Sequence, residues 1–155
     1  MKRTLILISL LLVLGCIQQS KSLPADLEIR YTTGACQMEK GTTTIFIDAQ
    51  GNGVYYKGSG TLLANGSFQN EEFRKTFKLN ETERLELLNT IENSGFFTLN
   101  NYYTNTDVYD GECRSIFVTK NNSTKSVAVS NTQAPDEYSK AGDAIVTATE
   151  KKTLR

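Results

Sequence analysis

The sequence predicts an α+β fold, in which an antiparallel sheet of about five or six strands carries two helices packed on one face. Two observations lead to this prediction. Segments with the period-two alternation of half-buried strands come in two groups. Each group is followed by one segment with apolar residues at helical spacing, so the order is strands, helix, strands, helix. A chain of 155 residues is a single-domain length, and we place the domain at residues 27–150.

The predicted strands share β-branched and aromatic residues bounded by turn residues. The first strand shows Leu27, Ile29 and Tyr31 alternating with polar residues. The others form two hairpins and one extended piece. The first hairpin joins Thr43–Asp48 to Val54–Lys57 through the turn Gln50–Gly53. The extended piece holds Phe73, Phe77 and Leu79. The second hairpin joins Arg114–Thr119 to Lys125–Ser130 through the turn Lys120–Ser123.

The first predicted helix has a start signal and a stop signal. Asn80 stands at the N-cap, and Glu83 lies at the third helical position, where it completes a capping box. Gly95 is placed to end the helix in the left-handed conformation, so that Phe96 folds back on Ile91. The apolar stripe at helical spacing consists of Leu85, Leu88 and Ile91.

The second predicted helix opens at Pro135, because proline is favoured at a first helical position. Its apolar face is formed by Tyr138, Ala141, Ile145 and Ala148. Residues 151–155 follow as a short basic tail, which we expect to be a solvated terminus.

The first sixteen residues have the pattern of an export signal. Lys2 and Arg3 precede an apolar run that ends in Val13-Leu14-Gly15-Cys16. This ending resembles the lipobox of prokaryotic lipoproteins. The resemblance implies that residues 1–15 are removed and that Cys16 carries lipid, with residues 16–26 as a polar tether. The protein is then extracytoplasmic and anchored to the cell membrane, or to the outer membrane of a Gram-negative host; the alternative is an ordinary secretory signal.

Two cysteines remain once Cys16 carries lipid. Cys36 and Cys113 form an even pair, and an exported protein reaches an oxidising compartment. We therefore predict one disulfide between them, with two separate buried thiols as the alternative.

The order of elements resembles a known family. A strand hairpin with a Gly-rich turn leads to a helix that ends in Ser94-Gly95-Phe96-Phe97, and a second hairpin and a closing helix follow. Over residues 27–148 this arrangement is similar to a family of small exported bacterial and archaeal domains of unknown function. The resemblance implies the α+β fold and no particular activity.

The chain contains no histidine, which excludes several kinds of chemistry. Neither a Ser-His-Asp triad nor a Cys-His pair can form, so a general base has to be a carboxylate, a lysine or a tyrosine. Without residues 1–15 the chain has 15 basic and 17 acidic residues, because Lys2 and Arg3 are lost from an even balance of 17 and 17. No basic cluster marks a nucleic-acid site, and we expect no cofactor.

Two acidic stretches raise the question of calcium. Asp48, Gln50 and Asn52 match the opening of an EF-hand loop, but Ser59 stands where the closing glutamate belongs. We therefore interpret this stretch as a hairpin turn and expect no metal there. For the stretch Asp107–Glu112, a weak calcium site and a solvated loop both stay open. Glycosylation also stays open at four Asn-x-Ser/Thr triplets, which begin at Asn65, Asn80, Asn121 and Asn122.

A loop from Asn100 to Glu112 is rich in tyrosine, asparagine and threonine. Tyrosine offers a broad contact area at a small entropy cost, which is typical of recognition surfaces. We predict a binding surface formed by Tyr102, Tyr103 and Tyr109, with one or two rings capping the edge of the core as the alternative.

These patterns predict a membrane-tethered extracytoplasmic protein that acts as a non-catalytic binding or envelope-structural module. The expected partners are the membrane, through the lipid anchor, and another envelope protein. Two alternatives stay open: an inhibitor-like or sensing domain that acts on another exported protein, and a small carboxylate-dependent hydrolase.

Overall fold

The computed structural model describes residues 22–36, 41–62, 68–108 and 111–153. The predicted signal, Cys16 and most of the tether lie outside these residues, as do Asn65 and Tyr109. Within them the fold is α+β, as predicted, with the elements in the predicted order.

The strands of the described residues form one sheet of seven in the order β4-β3-β2-β1-β6-β7-β5. All neighbours pair antiparallel except β5 and β7, which run parallel. The prediction of an antiparallel sheet of about five or six strands is therefore confirmed in part, because the sheet is mostly antiparallel but has seven strands among the described residues and one parallel pair at its edge. The strands are β1 (Glu28–Ala35), β2 (Thr42–Ile47), β3 (Asn52–Leu62), β4 (Phe68–Lys78), β5 (Tyr102–Thr104), β6 (Glu112–Lys120) and β7 (Ser123–Ser130).

One face of the sheet carries the hydrophobic core. The register sets Ile29 between Ile47 and Val118, and it sets Tyr31 between Ile45 and Ile116, so alternate residues of neighbouring strands line up. Both helices bury their apolar side chains in the same core as these strands. The close approach of the second helix is made at Gly142, where a Cβ would touch the ring of Tyr31 at 3.6 Å.

Helix α1 (Glu81–Asn93) begins and ends as predicted. The Asn80 side chain accepts from the Glu83 backbone N–H at 2.9 Å, and the Glu83 carboxylate accepts from the Asn80 N–H at 2.9 Å. Gly95 is left-handed with φ 88°, and a 3₁₀ helix (Phe96–Thr98) follows with Phe96 fully buried. The predicted apolar stripe is wrong at one position. The buried residues are Leu87, Leu88 and Ile91, whereas Leu85 is half-buried.

Helix α2 (Asp136–Thr153) follows Pro135, whose carbonyl accepts from Ser139 N–H at 3.0 Å. Three of its predicted core residues are buried and Ala148 is half-buried. The helix extends further than expected, since residues 151–153 are helical and not part of a separate tail. Lys152 Nζ lies 2.7 Å from Glu83 Oε1, which joins the end of α2 to the start of α1.

Candidate functional site

The predicted disulfide between Cys36 and Cys113 is present, with the two Cα atoms 4.7 Å apart. Strand register explains it. Gly34 pairs with Cys113 across β1 and β6, and the N–H of Cys36 donates to the carbonyl of Gly111 at 3.1 Å, so both cysteines reach the same end of the sheet. The hydroxyl of Ser130 on β7 lies 3.0 Å from Cys113 Sγ. We call this end of the sheet the disulfide end.

The loop between β5 and β6 is held at both of its ends by Ser130, the last residue of β7, and by Asn131, which follows it. Asn105 N–H donates to the Ser130 carbonyl at 3.1 Å, and Asn131 N–H donates to the Glu112 carbonyl at 3.0 Å. Gly111 packs so tightly on the Asn131 side chain that a Cβ there would overlap it. The disulfide adds a third fixed point beside Gly111, so a short loop leaves and rejoins the sheet at fixed positions.

Tyr102 and Tyr103 point to opposite faces of the sheet, because they are consecutive residues of a strand and side chains alternate along a strand. Tyr103 stands beside Val129 on the core face, where it is half-buried against the core, and Asn100 N–H donates to its hydroxyl at 3.1 Å. Tyr102 stands beside Ala128 on the other face and is 62% exposed. The two rings therefore do not form one surface, and residues 102–104 are a strand where a loop was predicted.

The candidate contact surface is the outward face of β5. Thr104 lies two residues after Tyr102 on the same face of the strand and is also exposed. We call Tyr102 and Thr104 the tyrosine edge. Val108, in the loop after β5, is 41% exposed. On the same sheet face as Tyr102 lies Phe117, 38% exposed, whose strand partner Arg30 reaches over the ring of Phe46 at 5.7 Å.

The carboxylates of Glu112, at the disulfide end, and of Asp48, in the β2–β3 turn, are both engaged by neighbouring groups. Glu112 accepts from the Thr33 hydroxyl at 2.7 Å and lies 3.4 Å from Arg114 Nε. Asp48, the start of the EF-hand-like stretch, accepts from the backbone of Gln50 and Asn52 within the β2–β3 turn. Among the described residues, no group of three histidine, cysteine, aspartate or glutamate side chains is arranged to hold a metal ion.

The titratable groups with shifted pKa values lie elsewhere in the fold. Hydrogen bonds from the backbone of Asn122 and Asn121 lower the pKa of Asp26, and the Lys152 ammonium, followed by the Asn80 N–H, lowers that of Glu83. Burial raises the pKa of Tyr31 and, more strongly, that of Tyr138. Lowered carboxyl pKa values keep both carboxylates ionised, which suits structural roles and not a general acid.

A groove of about 790 Å³ between α1 and α2 was not anticipated from the sequence. Leu87, Ala144 and Ala148 supply apolar lining, and charges of both signs stand among the lining residues: Glu83, Glu86, Asp143, Lys140, Lys151 and Lys152. The sequence pattern of each helix predicts only its buried stripe. The groove depends on how the solvent-facing sides of two separate helices meet.

Neither described helix is long and apolar enough to cross a membrane. A scan against protein-family models and a search of the curated proteins find no match to this chain. The resemblances to a lipobox and to a family of exported domains therefore stay predictions.

Proposed function

We propose that this chain is a lipid-anchored extracytoplasmic lipoprotein and that it acts as a non-catalytic binding module through the tyrosine edge. The anchor rests on the signal pattern that ends in Gly15-Cys16. The Cys36–Cys113 disulfide supports export, because structural disulfides persist mainly in oxidising compartments.

The two ends of β1 lie beside different parts of the protein, one near the predicted tether and the other at the disulfide end. At one end, the Asp26 carboxylate accepts from the N–H groups of Asn121 and Asn122 at 2.7 and 2.5 Å, which ties the segment before β1 to the β6–β7 turn. At the other end is the disulfide. A strand of eight residues spans roughly 27 Å, so the tyrosine edge lies well away from the point where the predicted tether joins the domain.

The single observation that carries the binding role is the 62% exposure of Tyr102 on an edge strand. A tyrosine offers an apolar ring and a polar hydroxyl to a partner. Because the loop beside it is fixed at Ser130, Asn131 and the disulfide, little conformational entropy is lost when a partner binds.

The same edge supports the second candidate, an inhibitor-like or sensing domain for another exported protein. In the described part of the chain, strand β5 pairs with Ala128–Ser130 alone, so a partner strand can add beside this short edge. A carboxylate-dependent hydrolase gains no support from the shifted carboxyl groups, Asp26 and Glu83, because both pKa values are lowered.

The anchor is tested on the full-length chain, expressed in a host with a lipoprotein pathway and extracted from its membranes. Intact mass should show loss of residues 1–15 and a lipid mass on Cys16. A Cys16→Ser variant should lose the lipid mass and the membrane fraction. An unmodified Cys16, or a mature N-terminus elsewhere, contradicts the anchor.

The binding role is tested by cross-linking the full-length chain in its native membrane and identifying the captured species by mass spectrometry. Tyr102→Ala should remove a species that the unchanged chain captures. Glu150→Ala is the control, because Glu150 is exposed on α2, which packs on the face of the sheet opposite to Tyr102. Capture that is equal for Tyr102→Ala and the unchanged chain contradicts the tyrosine edge as the contact surface.

A further inference from the structure

Strand β4 forms one edge of the sheet and has no strand neighbour beyond it among the described residues. It is eleven residues long, whereas the opposite edge, β5, has three. Long edge strands present a row of backbone N–H and C=O groups to any strand that can pair with them. The outer side of β4 is therefore the longest pairing surface of this sheet.

The two acidic residues in the middle of β4 precede its central residue, and two basic residues follow at the same distances. Phe73 is the central residue of Phe68–Lys78. Glu71 and Glu72 precede it, while Arg74 and Lys75 follow it. An antiparallel copy of the same strand centred on Phe73 sets each acidic residue against a basic one.

We propose that β4 is a self-association surface, on which β4 of a second copy of this chain pairs antiparallel about a two-fold axis at Phe73. Glu72 of each copy then stands opposite Arg74 of the other, and Glu71 stands opposite Lys75. The interface is isologous, so every favourable contact occurs twice. The result is a continuous sheet of fourteen strands, twice the seven described in one chain.

The central residue suits a position on the two-fold axis. Phe73 is 49% exposed and rests edge-on against Tyr55, with 5.9 Å between the ring centroids. Its remaining exposed area is covered by the same residue of the second copy. Exposed phenylalanine in the middle of a free edge strand is otherwise an aggregation hazard, and closed pairing removes it.

The acidic residues of the edge are available for such pairing. Within the described part of the chain, Glu71 and Glu72 are exposed and form no ion pair. Arg74 is also exposed, and its guanidinium stacks 5.2 Å from the Tyr56 ring centroid, which orients the side chain. Lys75 is half-buried and donates to the Thr153 carbonyl, so Arg74 supplies the freer positive charge.

An irregularity in β4 leaves the charge match intact. The register with β3 shifts between Lys57 and Gly58, which pair with Phe73 and Glu71 and leave Glu72 as the extra residue. A bulge moves the pairing by one position. Either Glu71 or Glu72 then faces Arg74 of the second copy, and the pair has opposite charges in both cases.

Charged edges usually protect sheets from unwanted pairing, and bulges serve the same purpose. Protection against a second copy of the same chain needs charges that repel when the strand meets itself. A run of one sign achieves this. Strand β4 has the opposite arrangement, because its two halves carry opposite signs.

The dimer is also compatible with the proposed anchor, although it does not depend on it. The two-fold axis is perpendicular to the sheet at the point where the two copies of β4 meet. Neighbouring strands are usually rotated by about 20–25°, and β1 lies three and a half strand spacings from the axis, so β1 is rotated by roughly 70–90° from the strand direction at the axis. Strand β1 therefore runs nearly parallel to the axis, and a two-fold rotation leaves such a direction unchanged in the second copy. Both N-terminal segments therefore leave the dimer on the same side.

The experiment uses the full-length chain in its native membrane and a disulfide cross-link between copies. Because residue 73 meets itself on the axis, Phe73→Cys should give a band of twice the monomer mass on a non-reducing gel after mild oxidation. Phe117→Cys is the matched control, since it introduces an exposed cysteine on a central strand. An absent dimer band, or an equal band for Phe117→Cys, overturns the proposal.

Charge reversal in the Phe73→Cys chain tests the pairing itself. Glu71→Lys with Glu72→Lys should lower the cross-link yield roughly tenfold, because attraction becomes repulsion at several contacts. Arg74→Glu should also lower it, and co-expression of the two variants should restore a mixed dimer. Glu86→Lys with Glu150→Lys on the helices makes the same net charge change and should leave the yield unchanged. The proposal is overturned if the acidic-to-basic double variant and Arg74→Glu, each expressed alone, both give the same cross-link yield as the Phe73→Cys chain.

Discussion

The ring of Phe77 lies directly against the backbone of Gly53 on the facing strand, in the space that a side chain at Gly53 would fill. Gly53 is buried, and Phe77 is half-buried against the core. An aromatic ring thus covers a strand glycine and replaces the packing that glycine cannot supply. The contact closes the core where the β2–β3 turn meets β4.

We expect Gly53→Ala to destabilise the protein by about 1–3 kcal/mol, because the added methyl group overlaps the Phe77 ring and forces it to move. Denaturant unfolding followed by circular dichroism measures the change. In a Phe77→Ala background the same substitution should cost far less, since the ring is gone. Equal costs in both backgrounds would show that the ring is not the cause.

The disulfide should contribute a large part of the stability. It joins residues 77 apart in sequence, and on the chain-entropy model closing such a loop restricts the unfolded chain by about 4.5 kcal/mol at most. Cys36→Ser with Cys113→Ser should therefore lower the free energy of unfolding by several kcal/mol in urea titrations. Ser130→Ala, which removes only the hydroxyl beside Cys113, should cost about 1 kcal/mol or less. A double variant as stable as the unchanged protein contradicts this account.

Alanine substitutions at the two tyrosines of β5 should differ in their effects on stability. Tyr103→Ala should cost about 2–4 kcal/mol, because its ring packs on the core and its hydroxyl accepts from Asn100 N–H. Tyr102→Ala should stay within about 0.5 kcal/mol, since its ring is mostly exposed. Thermal unfolding of the two variants checks this, and the reverse ranking would contradict the assigned faces.

Asp26 should make stability depend on pH at acid values. Hydrogen bonds from Asn122 and Asn121 hold its pKa below the ordinary value of 3.8, so the folded state binds its proton more weakly than the unfolded state. This contribution is fully present above the unfolded pKa and is lost as the pH falls through the folded pKa. Asp26→Asn should therefore differ from the unchanged protein mainly above about pH 4, and the difference should shrink towards pH 2. A difference independent of pH would contradict the assignment.

The sequence by itself determined the features that depend on neighbouring residues. The capping box of Asn80 and Glu83 and the left-handed Gly95 follow from local spacing and from the backbone conformations that these residues favour. The β6–β7 turn is equally local, because Asn121 and Asn122 adopt φ values of 51° and 59°, which asparagine tolerates. The disulfide was also predictable, since only two cysteines remain after Cys16.

The tertiary structure decided which segments become neighbours. The three residues of β5 are too few to show a strand pattern, and they are a strand only because β7 offers a parallel edge. That pairing separates Tyr102 from Tyr103, and the strand order leaves the outer side of β4 without a neighbour among the residues that the structure describes. The groove between α1 and α2 likewise depends on two helices far apart in sequence. These features arise from long-range pairing and packing, whose energy is absent from any local stretch of residues, so local patterns cannot predict them.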